Sequence, residues 1–317
     1  MKSWIQAFRL KTLPLAVSGI TLGAALSAMH GKWNPMVFVL GTLTAVSLQI
    51  LSNLANDYGD FIKGTDKAAN RTDRALASGR ITQPQMRRAI VINALLSLTL
   101  GLMLLYFSVT SLRVFGFLFS VGILGILSAL GYTLGKRAFG YSGLGDVVVF
   151  LFFGPVAVCG TFYLMSGTAL PQTWLAAAGI GLLSAAVLNV NNMRDTETDQ
   201  LAGKRTLALR LGRRLTLMYH KALLSLGFLF VFTSFLSEDG NLQIRPNLTE
   251  PLLLLLVYAP VILMFTRHAG RISELSMLAA PTTPKARIPW NAELKSLSLT
   301  ILLMVCVYVL TVWLFIA

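Results

Sequence analysis

The chain has 317 residues, 55% of hydrophobic type and only 13% charged, with a formal net charge of +14. That charged share is about half of what a soluble domain carries. Such a chain cannot build a polar surface, so a water-soluble fold is excluded and lipid must be its main solvent.

In chain order, the first apolar run is 12–30. It contains Pro14 and lacks a small-residue cleavage site, so it reads as a permanent helix and not a cleavable signal. Runs at 35–56, 88–108 and 114–134 follow. No charged residue falls in 33–56, 89–112 or 114–135. The uncharged stretch 147–193 is long enough for two spans, 145–165 and 173–193, divided at the polar turn from Ser166 to Pro171. Spans 219–237, 249–267 and 296–316 complete the set. A hydrocarbon core of ~30 Å needs ~20 helical residues to cross it, and each run meets that length. None shows the short alternating pattern of a membrane barrel, so the expected fold is all-α with about nine transmembrane helices.

Lysine and arginine set the expected orientation. With nine spans, 24 of the 27 basic residues fall on the side of the N-terminus, and only Lys32, Arg113 and Arg245 fall opposite. This asymmetry predicts a cytoplasmic N-terminus. It also spreads the positive charge over several loops at one membrane face, which suits anionic headgroups or a diphosphate and argues against nucleic acid. Cys159 and Cys306 lie inside apolar spans and read as packing residues. His30, His220 and His268 are scattered and form no ligand set.

The acids carry the chemistry. Ten of 13 fall on the expected cytoplasmic side, concentrated at the ends of the second and sixth spans. The first cluster runs from Asn53 through Asn56, Asp57, Tyr58, Gly59, Asp60, Lys63, Gly64 and Asp66 to Lys67. The second runs from Asn189 through Asn191, Asn192, Arg194, Asp195, Glu197 and Asp199 to Gly203, Lys204, Arg205 and Thr206. Asn56 stands four residues before Asp60, and Asn191 four before Asp195, so each pair shares a helical face that Asp199 extends. Asp60 and Asp66 do not share one, and Gly59 and Gly64 suggest that the first helix breaks there. Any one of these acids alone could be a helix cap, and the basic residues alone could be topology signals. Carboxylates beside hydrocarbon, however, are costly unless paired, metal-bound or facing a cavity. Two facing clusters need a cation between them, and Mg²⁺ suits, because it joins carboxylates to phosphates while keeping several waters. Lys63, Lys67, Arg71, Arg74, Lys136, Arg137, Lys204 and Arg205 stand near in sequence and could hold phosphate oxygens. Asp73 and Glu274 read as ordinary loop charges. Asp146 reads equally as a helix N-cap or a site residue. The recurrence of clusters four spans apart suggests two related halves, about 1–134 and 145–267, within a single domain that adds a ninth helix at 296–316.

Asn56-Asp57-x-x-Asp60 and Asp195-x-x-x-Asp199 resemble the paired Asp motifs of the UbiA-type intramembrane prenyltransferases. The flanking segments Arg9–Pro14, Leu48–Asp60, Tyr141–Asp146 and Asn191–Asp195 resemble the branch that prenylates 1,4-dihydroxy-2-naphthoate in menaquinone synthesis. One departure is that Gly64 stands where many members carry a further Asp, which makes Asp66 a less secure ligand than Asp60. The resemblance implies a bundle around a central cavity open to the cytoplasmic face and laterally to lipid. It implies Mg²⁺, as two ions with Mn²⁺ an alternative, held by Asp57, Asp60, Asp66, Asp195 and Asp199. It implies diphosphate binding by Lys63, Arg71, Arg137, Lys204 and Arg205, and catalytic roles for Asn53, Asn56, Tyr132, Lys136, Arg137, Asn192 and Lys204. Asn53 and Tyr132 would line the pocket of an allylic cation. The implied reaction transfers a polyprenyl chain from its diphosphate to the naphthoate with loss of CO₂, giving demethylmenaquinone in its quinol form, in the cytoplasmic (inner) membrane. A sister enzyme acting on another aromatic acid such as 4-hydroxybenzoate is the near alternative. A transporter is the distant one, disfavoured because the spans carry almost no charge at mid-depth.

Overall fold

Proline and capping residues start most of the helices. A short helix, Lys2–Phe8, and a tight turn at Leu10–Thr12 lead into α1, Leu13–Met29, which has Pro14 in its first turn. Helix α2, Pro35–Ile62, starts at Asn34, whose side chain accepts from the backbone N–H groups of Met36 and Val37. Helix α3, Gln83–Ser108, starts on a reciprocal Thr82–Gln85 capping box. Then come α4, Leu112–Gly131, and α5, Gly145–Ser166, which widens to a π-helix over Phe152–Cys159 around Pro155. Helix α6 is Pro171–Arg194. Helix α7, Leu207–Phe235, is interrupted at Gly212 (φ 72°). Helix α8, Thr249–Met277, runs on through Pro260, and α9 is Ile288–Ile316. This computed structural model describes all residues except 1, 69–73, 136–137, 239–240, 243–248, 279–280, 282, 284 and 317.

Among the described residues nine helices are long and apolar enough to cross a membrane, in line with the all-α expectation. The single addition is a two-residue antiparallel hairpin, Ser237–Glu238 with Asn241–Leu242, between α7 and α8. On the face of the N-terminus the helices outrun the apolar windows. Helix α2 continues to Ile62, α7 starts at Leu207, α8 ends at Met277 and α9 starts at Ile288. Hydropathy marks where the bilayer core ends. Backbone hydrogen bonding continues past it into charged turns.

Helix α6 is the axis of the bundle: 72% of its apolar window is buried, against 11% for α4 at the lipid-facing edge. Ile180, Leu183 and Val190 of α6 pack with Val231 of α7, Tyr258 of α8 and Leu297 of α9 in the larger core. The α6–α7 contact is backbone-close, since a Cβ on Gly179 would lie 2.8 Å from the Gly227 carbonyl oxygen. A smaller core joins Leu51 and Leu54 of α2, Met86 and Ile90 of α3, and Ala7. Between α1, α2, α3, α4 and α5 lies an apolar cavity of about 270 Å³.

Two of the scattered histidines meet. His220 of α7 and His268 of α8 have Nε2 atoms 3.2 Å apart, and His268 Nδ1 lies 2.9 Å from Glu293 of α9. This buried network ties three helices together. Among the described residues it is not a ligand set for a metal.

Candidate active site

The first acidic cluster occupies the last turns of α2 and the turn beyond. The helix passes unbroken through Gly59 and stops at Gly64, where φ is 75°. Gly59 therefore serves close approach and not a break, because a Cβ there would sit 2.7 Å from the Thr133 Cβ at the end of α4. The turn at Gly64 swings the short helix Thr65–Ala68 back, so Asp66 rejoins the acids that its spacing had set apart. All three face one guanidinium. Arg74 donates to Asp57 at 3.0 Å and to Asp60 at 3.4 Å, and stands 3.8 Å from Asp66. Burial opposes the Arg74 charge, but Asp66, Asp57 and Asp60 outweigh it and raise its pKa.

The second cluster departs from the single face expected of it. Helix α6 ends at Arg194, Asp195 takes a bridging backbone conformation, and a new helix covers Thr196–Leu201. Asp195 and Asp199 are thereby held by different partners. Asp195 accepts from Arg194 Nε at 2.9 Å and Arg194 NH2 at 2.5 Å, and also from the buried Arg287. Asn291 of α9 completes this knot by accepting from Arg194 at 2.8 Å and from Lys11 at 2.7 Å. Asp199 instead meets Lys204 at 3.1 Å, and the same ammonium lies 3.2 Å from Asp60. Lys204 is thus the pin between the clusters. Burial works against its charge, yet Asp60 and Asp199 hold its pKa above the ordinary lysine value. Burial pushes the Asp199 carboxyl up to about 6, against the pull of Lys204.

Tyr141, in the turn Phe139–Tyr141 between α4 and α5, lies against the same pin. Its hydroxyl is 3.0 Å from Asp60 Oδ1 and 3.0 Å from Thr65 Oγ1. Lys63, exposed, places its ammonium 3.9 Å from the Tyr141 ring centroid. Burial draws the Lys63 pKa below its usual value against the pull of Asp60. Arg205 is also exposed and meets Tyr141 through its backbone N–H, which donates to the Tyr141 carbonyl at 2.9 Å.

The remaining sequence candidates divide. Tyr132 lines the apolar cavity together with Gln49 and Ser52. Asn53 does not. Its amide donates to the Phe8 carbonyl at 2.9 Å and to Thr12 at 3.2 Å, which ties the N-terminal segment to α2. Asn56 accepts from Thr133 at 3.2 Å, and Asn192 is buried in the last turn of α6. Asp146 caps no helix; it lies in the first turn of α5 and accepts from Tyr219 at 3.3 Å. Arg71, Lys136 and Arg137 lie outside the described residues, as does Asp73. Sequence reasoning singled out neither Tyr141 nor the Arg287–Asn291 pair. Tyr141 carried a signal only as part of a flanking segment, and a lone arginine before an apolar run carries none.

The donor set suits a hard cation. It is all oxygen, and the buried Asp57 Oδ2 has no hydrogen-bond partner among the described residues. No three acidic, histidine or cysteine side chains there close on a point by themselves. Such a partial cage matches an ion that retains waters and completes its shell with substrate phosphate, as Mg²⁺ does.

The chain has relatives among known proteins and solved structures. The 1,4-dihydroxy-2-naphthoate octaprenyltransferase of Escherichia coli (strain K12) is 45% identical over 225 residues, 70% of this chain and 73% of that one. An apo structure of a UbiA homolog from Aeropyrum pernix K1 superposes with a TM-score of 0.64 at 15% identity, covering 95% of this chain and 98% of that one. A UbiA homolog from Archaeoglobus fulgidus bound to GPP and Mg²⁺ gives 0.58 at 16% identity, covering 98% and 99%. A sequence model of the UbiA prenyltransferase family matches residues 16–280, and the chain belongs to that family.

Proposed function

We propose that this protein transfers a polyprenyl chain from its diphosphate to 1,4-dihydroxy-2-naphthoate, releasing diphosphate and CO₂. The observation that carries this reading is Lys204, held between Asp60 and Asp199, together with an apolar cavity that has Tyr132 in its wall. A charged head and an apolar tail need those two environments side by side. The 45% identity to a naphthoate octaprenyltransferase supports this choice of acceptor.

Asp57, Asp60 and Asp199 would hold Mg²⁺, with Asp66 beside them. Asp195 would join only by exchanging its contacts with Arg194 and Arg287. Held there, Mg²⁺ would supply positive charge to the departing diphosphate. Lys204 and Arg74 supply the protein's own charge for the outer phosphate oxygens, with Lys63 within reach at the exposed rim. The tail lies in the cavity between α1 and α5, where each CH₂-sized group removed from water contributes about 0.8 kcal/mol. The allylic C–O bond breaks and the diphosphate carries away the electron pair. Tyr132 offers its ring to the allylic cation, and the apolar walls exclude water from it. The naphthoate ring carbon bearing the carboxylate forms the new C–C bond. The C–CO₂ bond then breaks and its electrons restore aromaticity, so no ring proton need be removed. We place the acidic face toward the cytoplasm, on the lysine and arginine bias of the loops.

The test is turnover in detergent with Mg²⁺, a polyprenyl diphosphate and 1,4-dihydroxy-2-naphthoate, run beside 4-hydroxybenzoate and read by mass spectrometry. A decarboxylated prenyl naphthoquinol is the expected product. Product from 4-hydroxybenzoate alone would overturn the acceptor, and no product from either would overturn the transfer.

A further inference from the structure

We propose that Tyr141 is a positioning residue for the diphosphate end of the donor, holding the Asp60 carboxylate and the Lys204 ammonium in register. This rests on the transfer reaction proposed above. Tyr141 sits on the loop between α4 and α5, which carries none of the acids of either cluster. It nevertheless reaches both clusters, through three kinds of contact.

The first is a hydrogen bond. The phenol oxygen is 3.0 Å from Asp60 Oδ1 and 3.0 Å from Thr65 Oγ1. An ionised carboxylate has no hydrogen to give, so the phenol donates to Asp60 and accepts from Thr65. The second is the ring face. Lys63 Nζ stands 3.9 Å and Lys204 Nζ 4.8 Å from the ring centroid, where the ring quadrupole attracts both ammonium groups. The third is backbone: the Tyr141 carbonyl accepts from the Arg205 N–H at 2.9 Å, which fixes the chain just after Lys204.

Asp60 Oδ1 is shared by the Tyr141 hydroxyl and Lys204, while Asp60 Oδ2 faces Arg74. Without the phenol, Oδ1 loses a neutral partner and the carboxylate is free to rotate between two cations. Without the ring, Lys204 and Lys63 lose the surface that sets their height over the site. Both losses fall on donor binding.

Tyr141→Phe removes the hydrogen bond and keeps the ring, and Tyr141→Leu removes both. The full-length protein is purified in detergent. Mg²⁺-dependent binding of inorganic pyrophosphate is measured by calorimetry, and KM for donor and acceptor by turnover. Tyr141→Phe is expected to raise the pyrophosphate Kd and the donor KM about tenfold, the scale of one charge-assisted hydrogen bond. Tyr141→Leu is expected to add a further increase of about threefold. Acceptor KM and melting temperature should stay at wild-type values. Both variants binding pyrophosphate within about twofold of wild type would overturn the role. A fall in melting temperature with equal shifts in both KM values would also overturn it, in favour of a structural prop. Wild-type protein with no Mg²⁺-dependent pyrophosphate binding would overturn the transfer reading and Tyr141 with it, so the two failures are distinguishable.

Discussion

The two acidic clusters look alike as sequence and differ as structure. In the first, α2 carries Asp57 and Asp60 on an unbroken helix, and the turn at Gly64 brings Asp66 back to the same Arg74. In the second, the helix ends before Asp195. One acid there is locked by Arg194 and Arg287, and the other is turned toward Lys204 and the first cluster. The shared spacing of Asn56 before Asp60 and Asn191 before Asp195 thus conceals a division of labour. Asp60 and Asp199 face each other across a single ammonium, whereas Asp195 anchors the start of α9 to the end of α6 through Arg287 and Asn291.

That division can be broken at several points. Asp60→Asn and Asp199→Asn should have the largest effect on catalysis, lowering turnover on the order of a thousandfold with little change in melting temperature. Steady-state rates beside a thermal scan check this, and substantial activity in either variant would remove that residue from the shared site. Asp195→Ala should behave differently, because it removes the carboxylate shared by two buried guanidinium groups. A loss of about 3–5 kcal/mol of stability should accompany the lost activity. A melting temperature equal to that of Asp60→Asn would erase the contrast between the clusters. Lys204→Met keeps an unbranched side chain one atom shorter and removes the pin. Donor KM should rise about a hundredfold while acceptor KM holds, as expected when a cation that favours phosphate is lost. The smallest effect is expected for Arg205→Ala, since the exposed side chain leaves its backbone bond to Tyr141 in place. A change in donor KM of about threefold or less would fit a screened surface charge.

Sequence alone went far with the fold because lipid imposes a simple rule. Every span must be a long uncharged helix, and charge must collect where the helices emerge. The nine spans, the paired clusters and the family were therefore all readable from the chain. Less readable was which Asp meets which cation. Asp60 and Asp66 are six residues apart and meet only because Gly64 adopts a positive φ, and Asn53 meets Phe8 and Thr12 because the N-terminal segment folds over it.

By itself the sequence determined the membrane-embedded helical bundle, the acid-rich face and the chemistry those acids suit, since composition and period act locally along the chain. Only the tertiary structure decided that Lys204 spans the clusters, that Arg287 and Asn291 arrive from the last helix to lock Asp195, and that Tyr141 touches both sides. Apart from Lys204 with Asp199, those contacts join residues distant in the chain, 81 apart for Tyr141 with Asp60 and 280 for Lys11 with Asn291, and no local pattern encodes such a meeting.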